Sequence, residues 1–68
     1  MITYYKEILT YDTVNDTTYY FKRIREGSSS KIYIWDNFMK EWQVLAGFTS
    51  QKHGWIKLTE GEMMLEQL

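Results

Sequence analysis

Not one of the 68 residues is a cysteine, and that absence constrains this chain more than any residue it contains. A chain of this length buries only roughly 60% of the surface its unfolded form exposes, and the usual remedies are disulfides, a structural metal, oligomerisation or unusually large side chains. Disulfides and thiolate metal sites are excluded here. Bulk remains: three Trp, six Tyr and three Phe make up 18% of the sequence, and each ring encloses about 150–250 Å² when buried. Aromatic packing is therefore the expected source of stability, with self-association as a homodimer its supplement. Residues 1–68 are expected to form a single domain, because two independent cores would each be too small to offset chain entropy.

The opening MITYYKEILTYD has no basic stretch leading into an apolar run, and no segment approaches the ~18 apolar residues that a membrane span requires. The expectation is a soluble, cytoplasmic protein with no membrane partner. The formal net charge of −1 is unevenly spread: residues 1–57 hold 8 basic and 6 acidic side chains, whereas Leu58–Leu68 holds 3 acids and no base. Neither part is basic enough to announce nucleic acid nor acidic enough to imitate a DNA backbone.

Local patterns point to an α+β fold, a four-stranded antiparallel β-meander with a short C-terminal helix packed on one face. Ile2 to Thr13 is rich in Ile, Thr and Tyr and is read as a strand, although Ile2, Tyr5 and Leu9 also sit at helical spacing. Asn15-Asp16 tolerate the positive φ angles of a two-residue hairpin turn. TTYYFKRIRE (Thr17–Glu26) is the second strand, ended by Gly27 and a flexible connection at Ser28–Ser30. Lys31–Asp36 and Glu41–Ala46 form a further hairpin around a turn begun by Asp36-Asn37. Gly47–Gly54 reads as a loop, and Trp55–Leu58 either adds a short strand or crosses the sheet. Thr59-Glu60-Gly61-Glu62 fits a capping box, so a helix is expected from Glu60, with Met64, Leu65 and Leu68 as its apolar stripe.

Because strand side chains alternate faces, hairpin register decides which aromatics share a side. A two-residue turn at Asn15-Asp16 sets Tyr11 opposite Tyr20 and Leu9 opposite Lys22. In the later hairpin an odd-length connection groups Ile32, Ile34, Trp42 and Val44, whereas an even one pairs Trp35 with Trp42 and leaves both faces mixed. The apolar pattern favours the odd case. The resulting core face is Leu9, Tyr11, Tyr20, Ile24, Ile32, Ile34, Trp42 and Val44 beneath the helix. Its reverse carries Tyr19, Phe21, Arg23, Arg25, Tyr33 and Trp35. Such a surface has a structural reading, in which the rings pair across strands or are covered by the Gly47–Gly54 loop with Phe48 and Trp55. It has a functional one too, since Tyr, Trp and Arg are enriched at the energetic centres of protein interfaces.

Catalytic chemistry is thinly represented. His53 is the lone histidine, set in the loop QKHGW, and zinc would have to be held by carboxylates, which structural zinc seldom uses. Ser28–Ser30 lack both a nearby histidine and a strand–turn–helix context. Gly27 belongs to no phosphate-cradling pattern. Asp12, Asp16, Asp36 and Glu41 occupy turn positions where local backbone bonding accounts for them. The expectation is a protein that is not an enzyme and uses no cofactor or metal. Aromatics beside Lys22, Arg23, Arg25 and Lys31 also suit single-stranded nucleic acid, through stacking worth about 1–3 kcal/mol per base. The small negative net charge ranks that reading second, because released counterions supply most non-specific affinity.

The segment IYIWDNFMKEWQV resembles the aromatic-Asp-turn-Trp hairpins of kelch-like blades and of small uncharacterised single-domain proteins of Gram-positive bacteria and their phages. The closing LTEGEMMLEQL is similar to the acidic terminal helix of the latter. That resemblance implies a small accessory protein or inhibitor that occupies a host protein, and it assigns no functional residue. The function expected is therefore a protein-binding module acting through Tyr19, Phe21, Arg23, Arg25, Tyr33 and Trp35.

Overall fold

The computed structural model describes residues 1–10, 16–48 and 50–67. Five strands form one antiparallel sheet in the order β4-β3-β2-β1-β5, with β1 at Ile2–Thr10, β2 at Asp16–Glu26, β3 at Ser29–Asp36, β4 at Glu41–Val44 and β5 at Ile56–Leu58. Helix α1 spans Glu60–Glu66. The α+β class, the antiparallel sheet and the short terminal helix are as expected. The sheet has a fifth strand because Ile56–Leu58 pairs with Tyr4–Lys6 of β1, at the edge opposite β4.

All three hairpin registers differ from those read in the sequence, and the differences decide the faces. In the first hairpin Thr10 pairs with Asp16 and Leu9 with Thr17, so Asp16 is a strand residue and the two-residue turn does not form. Leu9 therefore does not face Lys22; Tyr4 does. Tyr11, Asp12, Val14 and Asn15 lie outside the described residues. In the second, Ser29 and Ser30 pair with Glu26 and Arg25, leaving a two-residue turn at Gly27-Ser28 in place of a flexible serine linker. Gly27 has φ +60°, as the first central position of a type II′ hairpin turn requires. In the third, the connection Asn37–Lys40 is even, and Trp35 pairs with Trp42.

Pairing sets Tyr5, Phe21 and Ile34 in one cross-strand row on one face. The other face carries the row Leu58, Tyr4, Lys22, Tyr33 and Val44. Since β4 and β5 are opposite edges, the chain between them must cross the sheet. The described residues of this connection, 45–48 and 50–55, form a strap over the Tyr5–Phe21 face, where the core cluster is Tyr5, Phe21, Ile32 and Trp55, flanked by Tyr19, Ile34, Leu45 and Phe48. Trp55 stacks on Phe21 with centroids 3.9 Å apart and planes 12° off parallel, and leans on Tyr5 at 5.7 Å. Its Nε1 is buried and has no hydrogen-bond partner among the described residues.

The helix lies on the other face, against β1 and β5. Its start is the anticipated capping box: the Thr59 hydroxyl accepts from the Glu62 amide at 3.1 Å, and the Glu62 carboxylate accepts from the Thr59 amide at 2.9 Å. The bond from the Thr59 amide favours the ionised carboxylate and the Thr59 hydroxyl adds to it, so the Glu62 carboxyl is held below its ordinary value, by the Thr59 backbone bond first. The buried helix residue is Met63, 2% exposed, whereas Met64 and Leu65 are 64% and 73% exposed; Leu68 lies outside the described residues. The apolar stripe expected from spacing is therefore turned outward. Two turns of helix bury one position against the sheet, and successive residues point about 100° apart, so seating Met63 against β1 and β5 rotates Met64 away.

Candidate functional site

The register changes divide the six residues expected to share a surface. Tyr19, Phe21, Arg23 and Arg25 have the parity of the strap face, and Tyr33 and Trp35 that of the helix face. Phe21 is 4% exposed at the centre of the core, and Tyr19 packs against it. Arg23 is half-buried and Arg25 exposed near the Gly27-Ser28 turn, where its Nε donates to the Gly27 carbonyl at 3.4 Å. Ile32 and Ile34 remain core residues, but under the strap. Tyr20, Ile24, Trp42 and Val44 share the helix face with Tyr33 and Trp35, so the anticipated core set is divided as well.

The helix covers only β1 and β5, and the strap runs over the opposite side, so the helix face of β2, β3 and β4 carries no covering element among the described residues. Trp42 lies at the centre of this half-face. It meets Trp35 edge-on, with centroids 5.2 Å apart and planes at 65°, and reaches Tyr4 at 6.3 Å across the sheet. The Lys22 ammonium sits 4.6 Å from the Trp42 ring centre and 5.5 Å from that of Tyr33. Burial lowers the Lys22 pKa, while the electron-rich ring faces offset part of the cost of holding a cation there. Around this centre Ile24, Tyr33, Trp35 and Trp42 are half-buried and Val44 is 59% exposed.

One edge of the surface is fixed by the helix. The Glu66 carboxylate accepts from Lys6 Nζ at 3.0 and 3.1 Å and from the Tyr20 hydroxyl at 3.2 Å. Burial raises the Tyr20 pKa, and the neighbouring Glu66 charge adds to the rise. The Asn37–Lys40 turn fixes another edge. Asp36 Oδ1 accepts from the Phe38 and Met39 amides at 2.9 and 3.0 Å, and its Oδ2 from Gln43 Nε2 at 3.0 Å. Lys40 closes the turn at φ +57°, a left-handed conformation costing roughly 1–2 kcal/mol outside glycine.

Reading the sequence for two strand faces identified Tyr33 and Trp35, and the nucleic-acid alternative set Lys22 beside such rings, but Tyr4 and Trp42 were missed as their companions. The available signal was the even-length alternative for the last hairpin, which pairs the two tryptophans. His53 lies in an exposed turn, Ser28 in the hairpin turn and Ser29 and Ser30 in β3. Among the described residues, no group of three or more His, Cys, Asp or Glu side chains is placed to hold a metal ion and no helix is long and apolar enough to cross a membrane. Comparison with protein-family models, with curated proteins and with solved structures gave no match.

Proposed function

We propose that this chain is a non-enzymatic protein-binding module that engages its partner through the uncovered half of the helix face, with Tyr33, Trp35, Trp42 and Val44 as the contact surface around Lys22. The observation carrying this reading is an aromatic and aliphatic half-face, braced by ring–ring contacts and left without cover among the described residues, while the strap lies over the other sheet face. Rings held rigid before association lose little conformational freedom on binding, which favours them as anchors of an interface. The wider reading of a small accessory protein that occupies a host protein draws its support from the sequence resemblance alone.

Single-stranded nucleic acid is the competing partner, because Lys22 and Lys31 share this face with the rings. It ranks second for a geometric reason. Stacked bases need open ring faces, and the Trp42 ring has the Lys22 ammonium over it with Trp35 and Tyr4 packed against it. The test compares capture of interacting proteins from cells of the source organism by the wild type, Val44→Asp and Arg25→Asp. The reading expects one partner to be lost at least tenfold with Val44→Asp and kept with Arg25→Asp, both variants melting within a few degrees of wild type. A partner lost only with Arg25→Asp would move the site to the strap face. Binding to an oligothymidine that falls steeply with salt would replace the protein by nucleic acid.

A further inference from the structure

Beyond the Phe21–Ile34 pair, β2 and β3 cease to pair, and β3 runs on into the Asn37–Lys40 turn. Between the diverging strands and the end of α1, the surface opens into a cleft of about 330 Å³, at the lower end of the roughly 300–1,000 Å³ typical of small-molecule sites. Tyr20, Trp35, Asn37, Lys40, Glu66 and Gln67 line it. Trp35 supplies an apolar wall, braced by Trp42 at 5.2 Å. The polar groups come from three separate elements and converge on that wall.

Tyr20, Asn37, Lys40 and Glu66 are hydrogen-bonded, and among the described residues these groups retain bonding capacity. Glu66 accepts three hydrogen bonds, two from Lys6 and one from Tyr20, of the roughly four its carboxylate can take. Lys40 gives one hydrogen to Asn37 Oδ1 at 2.9 Å, which leaves two ammonium hydrogens and both amide hydrogens of Asn37 for other partners. Gln67, the C-cap residue of α1, adds a second amide. Lys6 already neutralises Glu66 through its ion pair, which leaves Lys40 as the single uncompensated charge of the lining, and a lone lysine does not make the convergent cation cluster that clamps a phosphate. The cleft is thus suited to a neutral ligand with one apolar side and many groups that both donate and accept.

We propose that the cleft binds a polyhydroxylated ring, the chemistry of a saccharide, with the C–H face of the ring against Trp35 and its hydroxyls exchanging hydrogen bonds with Asn37, Lys40, Glu66 and Gln67. The slightly positive C–H hydrogens match the negative face of the indole. Side-chain amides donate and accept as sugar hydroxyls do. A nucleotide also offers a flat ring, but the single free lysine of the lining gives its phosphate no clamp. This inference goes beyond protein binding and does not depend on it.

The test is an NMR titration of the full chain, following indole and side-chain amide signals, with glucose, galactose, mannose and N-acetylglucosamine, with short oligomers of each, and with nucleosides. Saturable shifts confined to Trp35, Asn37 and Gln67 with at least one sugar are expected. An oligomer bound at least tenfold more tightly than its monomer identifies a glycan chain as the source, and equal affinity a free sugar. Asn37→Ala and Gln67→Ala should each weaken binding at least fivefold with unchanged melting, while Trp35→Phe, which keeps a ring in the wall, weakens it less. Val44→Asp, which tests the protein interface, should leave the titration unaltered. Absence of saturable shifts with every sugar, preference for nucleosides, or affinity untouched by both amide variants would overturn the proposal.

Discussion

The strap face and the helix face draw on the same sheet and carry matching sets of rings, yet they end in different states. Tyr5, Tyr19, Phe21, Phe48 and Trp55 gather under or within the strap, where Tyr5, Phe21 and Trp55 are buried. Tyr4, Tyr20, Tyr33, Trp35 and Trp42 stand on the helix face, and every one of them keeps partial exposure. The difference lies in the cover. A strap that must join opposite sheet edges passes over all the strands between them, and it carries Trp55 into the middle. A seven-residue helix is only about 10 Å long at 1.5 Å per residue, while five strands at about 4.8 Å spacing span roughly 19 Å. The helix covers two strands and stops. Ring content therefore does not specify a core; the path of the connecting chain does.

The largest effect should come from the strap. Trp55→Ala removes the ring that joins Tyr5 to Phe21 and should cost about 3–5 kcal/mol. That is comparable to the whole stability of a domain this size, at roughly 0.05–0.15 kcal/mol per residue, so circular dichroism should show no cooperative melt. Trp55→Phe keeps a stacked ring and removes an indole N–H that has no partner among the described residues, so its loss should be well under half as large. An equally severe effect would mean that the indole shape, not ring burial, closes this face.

On the helix face, Trp42→Ala should cost about 2 kcal/mol, towards the lower end of what two aromatic contacts and one partly exposed cation–π pair contribute together, read from urea midpoints. A loss matching that of Trp55→Ala would abolish the contrast between the faces. A smaller effect, about 1 kcal/mol, is expected for Thr59→Ala at the helix start. The same cap carries a pH dependence. The Glu62 carboxyl titrates lower folded than unfolded, so its contribution is present above the ordinary carboxyl range near 4.5 and is lost as pH falls through the folded value. Glu62→Gln keeps a bonding partner for the Thr59 amide but cannot ionise, and its stability relative to wild type should rise over that acid window. Parallel pH profiles for the two proteins would remove the cap from the acid response.

Several elements were legible because their signals are local. The capping box at Thr59-Glu62 marked the start of α1 to the residue, Asp36 opened the last hairpin turn as its carboxylate chemistry suggests, and runs of Ile, Tyr and Thr marked the strands. The faces were not legible. Each hairpin register depends on a connection length that the sequence leaves open by one or more residues, and an odd shift moves every side chain across the sheet. Replacing the pairing of Leu9 with Lys22 by that of Tyr4 with Lys22 was such a shift, and an even turn at Asn37–Lys40 was another. Four of the six candidate surface residues were separated from the other two in this way: Tyr33 and Trp35 stayed together, Trp42 and Lys22 joined them, and Phe21 went into the core.

By itself, then, the sequence determined that stability must come from aromatic burial, that the chain forms antiparallel strands closed by a short capped helix, and where that helix begins. Composition and hydrogen-bonding patterns within a few residues are enough for each of these. Which rings are dry, and which stand beside Lys22 on an open face, was decided only in three dimensions. Strand phase and the route of the 45–55 strap are set by the total burial that competing registers achieve, a sum over contacts between residues far apart in the chain.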